Sequence, residues 1–256
     1  MRKCFNFGFL SILFYLSFAC SNKSDLNSPE GSGQLYFHFH TNIDNIEVPG
    51  LDSIINSSTG RKISLSFTKM YISNIKLIKL DGSLYSVSDK VLLKTFWNEL
   101  YLVGNVPAGN YKSVQFTVGF DSITSAKTPI SADTVFNHPE MWFWNTAQPQ
   151  GYVFLNVQGE IDTTKNSNGL INQMMPFSYR IGTSVNAAFV SLPDENFTVS
   201  PNQTQYVHMI INYMKLFDGV DLSKASNLSV QSISDNSNTA AKQIAVNMSN
   251  MFSYEF

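Results

Sequence analysis

The sequence predicts an all-β protein built as a single antiparallel β-sandwich. Three observations favour this fold class. Apolar and polar residues alternate with period two through most of the chain from Leu35 onward, as they do in half-buried strands. Turn residues separate the alternating runs, and segments with helical spacing are few. The chain has 256 residues, and we assign residues 35–256 to one domain.

The predicted strands follow one another with turn residues between them. The first strand, residues 35–40, directs its apolar side chains to one face and directs Tyr36, His38 and His40 to the other. Asp81-Gly82 is a strong hairpin signal that ends a later strand. The other predicted strands cover residues 63–67, 70–80, 91–96, 114–118, 152–157, 177–181 and 206–217.

Two segments depart from this alternation. Apolar residues in Thr239 to Met251 recur near a spacing of 3.6, which predicts a short C-terminal helix. Ser122 to Gln150 has no clean period and carries three prolines, so we predict a long aromatic loop that leaves the sandwich. Long ordered loops of this kind often carry function.

The N-terminus has the pattern of an export signal. Arg2 and Lys3 precede an apolar stretch, residues 5–19, that is too short to span a membrane comfortably. The stretch ends at Ala19-Cys20, which resembles the lipobox of bacterial lipoproteins. We therefore predict that residues 1–19 are a signal peptide, that Cys20 is lipidated, and that residues 20–34 are a flexible tether. The alternative is a plain secretory signal with an incidental Cys20.

This signal places the protein in the bacterial cell envelope. Lipid on Cys20 would anchor it to a membrane, and the short sequence after Cys20 lacks a dense acidic run. We expect a periplasm-facing position on the outer membrane, with the cell surface as the alternative. The formal net charge of −2 excludes a polybasic nucleic-acid binder, because such proteins need a cationic surface to neutralise phosphates.

Cysteine and histidine counts limit the chemistry of the mature domain. Cys4 lies in the signal peptide and Cys20 is the predicted lipid attachment site, so the domain has neither a disulfide nor a thiol nucleophile. The chain has only four histidines and lacks the common hydrolase motifs. We therefore expect a binding protein rather than an enzyme.

His38 and His40 are the first candidate site. They lie two residues apart on one strand face, about 7 Å from each other, so that both imidazoles can reach one metal ion. The alternative is that this face is simply solvated.

The aromatic loop contains a second candidate cluster, which comprises Met141, Trp142 and Trp144 next to His138. Two tryptophans beside a methionine and a histidine could flank a soft-metal site or form a stacking platform for sugars. The alternative is that these aromatic side chains close one end of the sandwich.

Several runs of the sequence resemble one family, in order and across nearly the whole mature chain. They are Gly60–Leu77, Val106–Tyr111, Val118–Ser122, Met141–Trp144, Gly151–Leu155, Phe177–Gly182 and Ile244–Phe252. These runs resemble the MbnP-like family, which comprises methanobactin-associated copper-binding proteins and related bacterial lipoproteins.

The resemblance implies an exported β-sandwich that binds copper through histidines. In some relatives a tryptophan is oxidised to kynurenine by a partner dihaem oxidase. His40 matches a position where relatives carry histidine, so the resemblance implies that His40 is a ligand, and His38 is the next candidate because it shares the strand face. Met141, Trp142, Trp144 and Arg180 would then be neighbours of the site.

Arg180 departs from the pattern of the family, because relatives commonly carry histidine at this position. A permanent cation cannot ligate copper and repels it. The resemblance therefore implies weaker copper affinity than in relatives with the histidine.

Two functions remain open at this point. The first is copper binding by a lipid-anchored sandwich, with a dihaem oxidase as a protein partner. The second is a non-metal module of the envelope that contacts a glycan or a partner protein through the aromatic loop. A third, weaker alternative is a structural accessory lipoprotein of an outer-membrane transport system.

Overall fold

The structure is a computed structural model that describes residues 31–127, 135–145, 147, 149–164 and 174–255. The predicted signal peptide, Cys20 and the tether up to residue 30 lie outside the described residues. No helix within the described ranges is long and apolar enough to cross a membrane.

Strands dominate the described chain, which confirms the mostly-β prediction. The strands are β1 (Ser32–Ile43), β2 (Ile46–Glu47), β3 (Ile55–Asn56), β4 (Lys62–Lys79), β5 (Leu84–Ser86), β6 (Leu92–Thr95), β7 (Leu100–Pro107), β8 (Gly109–Val118), β9 (Trp142–Trp144), β10 (Pro149–Asp162), β11 (Met174–Gly182), β12 (Ala188–Ser191), β13 (Phe197–Val199), β14 (Thr204–Asn212), β15 (Ser229–Val230) and β16 (Phe252–Tyr254). The α-helices are α1 (Ser122–Ser125) and α2 (Thr239–Met248). Short 3₁₀ helices cover Pro139–Met141, Ser184–Asn186, Tyr213–Phe217, Ala225–Leu228 and Asp235–Ser237.

The strands form two curled sheets. A five-stranded sheet has the order β16-β14-β1-β2, with β7 also paired to β1. An eleven-stranded sheet has the order β12-β8-β4-β10-β11-β15, with five short strands paired at its sides. The two sheets meet across the core, where the ring of Phe37 in β1 lies 6.3 Å from that of Phe116 in β8. This arrangement is that of a β-sandwich.

The prediction of an antiparallel sandwich holds only in part, because the sheets are mixed. β1 and β14 run parallel over nine residue pairs, from Gln34 opposite Thr204 to Asn42 opposite Asn212. β11 and β15 also run parallel. Alternation within a strand reports which side chains are buried and carries no information on the direction of the neighbouring strand.

Several element boundaries differ from the prediction. The two strands predicted at 63–67 and 70–80 are one continuous strand, β4. The strand predicted at 206–217 ends at Asn212, whose side chain accepts a hydrogen bond from Met214 N and opens a 3₁₀ helix. The predicted C-terminal helix is present as α2, where the side chain of Asn238 caps the first turn by accepting from Ala241 N.

β1 places its histidines outward because its other face fills the core. Leu35, Phe37 and Phe39 are fully buried, as the alternation predicts. Tyr36, His38 and His40 therefore lie on the outer face of the five-stranded sheet, away from the eleven-stranded one.

Candidate metal centre

Three histidines meet on the outer face of the five-stranded sheet. The parallel register of β1 and β14 places the Cα atom of His38 opposite that of His208. His40 follows His38 on the same face of β1. Each of the three histidines offers a nitrogen, and these nitrogens lie within 4.8 Å of one another. We call these three residues the histidine triad.

The imidazole rings of the triad are close together. His38 Nδ1 lies 2.9 Å from His208 Nδ1, and the ring centroids of His38 and His40 are 4.3 Å apart. The side chains of His38 and His40 are 20% and 16% exposed, whereas that of His208 is 47% exposed. The triad is therefore a half-open site that an ion can enter from solvent.

Three carboxylates surround the triad, each from a different part of the chain. Glu99, just before β7, places Oε2 3.4 Å from His38 Nε2. Glu47 in β2 places Oε1 3.2 Å from His40 Nδ1. Glu255, just after β16, places Oε2 3.2 Å from His40 Nε2 and 3.5 Å from His208 Nδ1.

Glu47 and Glu99 fix the roles of the nitrogens in two of the histidines. A neutral imidazole has one N–H donor and one acceptor nitrogen. In the tautomers in which His38 Nε2 donates to Glu99 and His40 Nδ1 donates to Glu47, His38 Nδ1 and His40 Nε2 are acceptors. His208 Nδ1 then donates the 2.9 Å hydrogen bond to His38 Nδ1. Pairs of a carboxylate and a histidine orient metal-binding histidines in many proteins.

His40 Nε2 is the atom that best tests the fit of a metal. It is buried and has no hydrogen-bond partner among the described residues, although Glu255 Oε2 lies 3.2 Å away. The contact has the distance of an ion pair without the geometry of a hydrogen bond. A buried polar atom without a partner is costly, and coordination to a metal ion would satisfy this one. The residues present therefore fit a metal ion.

A second grouping of possible ligands shares His40 with the triad. Donor atoms of His40, Glu47 and Glu99 also lie within 4.8 Å of one another. Both carboxylates are far more exposed than His40, at 60% for Glu47 and 47% for Glu99. Because each carboxylate lies within hydrogen-bond distance of a histidine nitrogen, we assign the two glutamates to orientation of the triad.

The predicted neighbours of the site lie elsewhere in the fold. Met141, Trp142 and Phe143 belong to a hydrophobic cluster with Tyr71 and Phe120, separate from the main core. We call it the aromatic cluster. It is built on β4, β9 and β10, on the side of the eleven-stranded sheet.

The two tryptophans of the loop differ in exposure. Trp142 is buried, and its indole donates a hydrogen bond to Phe136 O. Trp144 is 52% exposed and donates to Pro139 O. Their ring centroids lie 5.6 Å apart. Trp142 is therefore part of the buried aromatic cluster, whereas about half of the Trp144 side chain is exposed to solvent.

Arg180 also lies beside the aromatic cluster. It is on β11, and its Nη2 donates a 2.6 Å hydrogen bond to Trp142 O. Burial lowers the pKa of the guanidinium, and the charge of Glu140 opposes that shift. The structure thus gives Arg180 a structural contact with β9, on the other sheet from the histidine triad.

Glu140 links the charged groups near Trp142. Lys69 Nζ donates to its carboxylate, and His138 Nδ1 lies 3.2 Å from the same oxygen. Burial alone would raise the pKa of Glu140, but the hydrogen bond and charge of Lys69, a backbone hydrogen bond and a smaller effect of His138 together lower that pKa. His138 is therefore held in an ion-pair network and not in the triad.

Sequence reasoning identified His38 and His40 but missed His208 and the three glutamates. One signal could have found His208. Tyr36-Phe37-His38 and Tyr206-Val207-His208 share a Tyr-x-His spacing, and the rings of Tyr36 and Tyr206 lie 5.6 Å apart across the two strands. The glutamates carry no such local signal, because each lies at or beyond a strand end.

The sequence model of the MbnP family matches residues 32–252. The chain belongs to the MbnP family. This result confirms the resemblance seen in the sequence. Among solved structures, the chain is similar to MbnP from Methylosinus trichosporium at 13% identity and a TM-score of 0.55. That match covers 87% of this chain and 98% of the other chain, and it supports the fold. No curated protein matches the chain.

Proposed function

We propose that this MbnP-family protein is a cell-envelope lipoprotein that binds one copper ion through His38, His40 and His208. Its role is binding rather than catalysis. The observation that carries the proposal is the histidine triad itself, in which each of three imidazoles offers a nitrogen within 4.8 Å of the others. Family membership supports copper as the metal.

The spacing of the donor atoms supports a shared ion. Ligand atoms about 2.0–2.1 Å from a metal in tetrahedral geometry lie roughly 3.3 Å from one another. The distance between His38 Nδ1 and His208 Nδ1 is 2.9 Å. This contact is a hydrogen bond in the structure, so a bound ion would displace the proton between the two nitrogens while small rotations of the rings bring them to the ligand spacing. Imidazole suits both oxidation states of copper, and it binds copper more tightly than most competing divalent ions.

The test is copper binding by the full chain and two single variants, measured by competition with a chelator. We expect one copper per chain in the wild type and, because His208→Ala removes one of three ligands, a loss of affinity larger than the roughly 10- to 100-fold that loss of an outer partner costs. His138→Ala is the matched control and should bind like the wild type. Loss in His138→Ala with retention in His208→Ala would move the site to the aromatic cluster. No binding by the wild type would reject the proposal.

The lipid anchor is a separate part of the proposal. If Cys20 is lipidated, Cys20→Ala should move the protein from the membrane fraction to the soluble fraction of the envelope, because one diacylated cysteine is its only proposed anchor. Cys4→Ala is the matched control and should remain with the membrane. Continued membrane association of Cys20→Ala would contradict the anchor. We place the anchored protein on the outer membrane, facing the periplasm.

Trp144 supports two further possibilities on the other side of the fold. Its exposed ring, rather than the buried ring of Trp142, is the one that a partner dihaem oxidase could reach. The same exposed face, with a second indole 5.6 Å away, favours the alternative function, in which the loop contacts a glycan or a partner protein.

A further inference from the structure

We propose that the outer face of the five-stranded sheet is a docking surface for a partner protein whose own surface is apolar at its centre and basic at its rim. The partner places an arginine or lysine side chain in a cleft beside the histidine triad. This inference goes beyond the proposed function, because it does not require copper in the triad. The surface is also separate from Trp144, which lies on the side of the eleven-stranded sheet.

An exposed apolar strip lies next to the triad on this face. β7 pairs with β1 so that Leu100 lies opposite His38 and Leu102 lies opposite Tyr36, and directly opposite residues share a face of the sheet. β14 places Tyr206 opposite Tyr36 on the other side, with their ring centroids 5.6 Å apart. Leu100, Leu102 and Tyr206 are 47%, 39% and 43% exposed. Contiguous exposed apolar groups with a polar rim are typical of interaction sites.

The charged groups of this face are acidic. The five strands of the sheet, β1, β2, β7, β14 and β16, contain no lysine and no arginine. Glutamates surround the triad from β2 and from the ends of β7 and β16. By contrast, the strands of the eleven-stranded sheet contain six lysines and one arginine. An acidic rim attracts and selects a partner of opposite charge.

A cleft of about 210 Å³ beside the strip offers a position for one cationic side chain. Its lining includes Tyr206 and the carboxylates of Glu195 and Glu255. Asp194 pairs with Lys112 at 3.3 Å, whereas no ion pair among the described residues includes the neighbouring Glu195. A guanidinium group can stack on an aromatic ring and donate to carboxylates at the same time. Arginine is also a frequent anchor residue of protein interfaces.

Two other occupants fit this face less well than a basic protein. A second copy of the chain that docked through the same face would bring the two acidic rims together, and like charges across an interface are costly. A lipid surface could cover the apolar strip, but anionic headgroups would repel the same glutamates. A basic protein with an apolar centre complements both the strip and its rim.

The experiment titrates the isotope-labelled, metal-free full chain with a synthetic peptide of alternating leucine and arginine, followed by nuclear magnetic resonance. The chain carries Cys20→Ala in every measurement, so that no attached lipid contributes. A peptide of alternating leucine and glutamate is the matched control probe. We expect the backbone signals of Leu100, Leu102 and Tyr206 to shift with the arginine peptide only, and the affinity to fall as salt is raised.

Two pairs of variants test the apolar and the acidic part of the surface. Leu102→Ser and Glu195→Gln should each weaken binding of the arginine peptide about 5-fold, the loss that marks a contributing interface contact. Leu84→Ser and Glu160→Gln are the matched controls, because both residues are exposed on the eleven-stranded sheet, and they should bind within 2-fold of the parent chain. Thermal unfolding of each variant checks that the fold is kept.

The same samples distinguish the other occupants. No binding of the arginine peptide, shifts confined to another face, or equal binding by Leu102→Ser and Glu195→Gln would overturn the docking surface. Co-sedimentation with vesicles of phosphatidylethanolamine and phosphatidylglycerol that is lost in Leu102→Ser would assign the face to lipid. A dimer in sedimentation velocity that is lost in Leu102→Ser would assign it to a second copy. Either assignment refutes the protein partner, and none of these results changes the copper measurements.

Discussion

Replacing His40 with alanine is expected to lower copper affinity at least 1000-fold, the largest loss for any single residue of the site. His40 is the least exposed member of the triad, with 16% of its side chain accessible. It is also the only one whose two nitrogens are each within 3.2 Å of a different carboxylate, those of Glu47 and Glu255. Its loss removes a ligand and the contacts that both carboxylates make with it. A 1000-fold loss corresponds to about 4 kcal/mol of binding free energy.

Chelator competition with the His40→Ala, Glu47→Gln and His138→Ala variants measures this effect. Glu47→Gln keeps the ligand and weakens only its orientation, so it should lose roughly 10- to 100-fold, as such outer partners do. His138→Ala should not change. A His40→Ala variant that binds within tenfold of the wild type would show that the ligands lie elsewhere. A larger loss in Glu47→Gln than in His40→Ala would instead favour the grouping of His40 with Glu47 and Glu99 as the metal position.

The positions of His38 and His40 relative to each other could be predicted because both residues lie on one strand, β1. Alternation places Leu35, Phe37 and Phe39 in the core, so His38 and His40 must share the opposite face. No long-range information is needed for that step. The mostly-β fold of the domain could be predicted for the same reason, because the alternation of buried and exposed residues is local to each strand.

The other half of the site depends on long-range pairing. His208 reaches His38 only because β14 lies parallel to β1, 170 residues further along the chain. The alternation of β14 is equally compatible with an antiparallel neighbour, which is what the sequence led us to expect. Glu99 and Glu255 enter the site from the ends of strands that pair with β1 and β14. Their positions follow from the sheet order and not from any local pattern.

The positions of Arg180 and the two tryptophans could not be predicted from the family resemblance. The family resemblance grouped them with the copper ligands because relatives share those sequence runs, but a shared run does not specify which sheet carries it. The structure places them on the eleven-stranded sheet, where Arg180 bonds to Trp142 O. No contact between the described residues supports the predicted repulsion of copper by Arg180. The weaker copper affinity, compared with relatives that carry histidine at this position, stays a prediction.

Lys94 is a buried lysine whose charge interacts with that of Glu99, one of the carboxylates beside the histidine triad. It lies on β6, in the eleven-stranded sheet, and is almost fully buried at 1% exposure. Its ammonium donates to Thr95 O at 2.5 Å and to Thr41 Oγ1 in β1 at 3.4 Å. Burial lowers the pKa of Lys94 to about 8, and the charge of Glu99 opposes that shift. Below pH 8 the folded protein therefore holds a buried cation with few hydrogen bonds.

Lys94→Met is expected to stabilise the fold relative to the wild type at pH 7, with an advantage that shrinks by about 2 kcal/mol by pH 9.5. The pKa of Lys94 falls from 10.5 to about 8 on folding, so between these values the unfolded chain binds more protons than the folded one. Wild-type stability therefore rises with pH in this window, whereas methionine has no charge to lose. The several tyrosines with raised pKa titrate above this window and are common to both proteins.

Urea unfolding of both proteins and of Lys242→Met, which replaces an exposed lysine in α2, measures the difference at pH 7, 8, 9 and 9.5. A difference between wild type and Lys94→Met that stays constant across these pH values, as we expect for Lys242→Met, would show that Lys94 keeps its charge in the folded protein throughout.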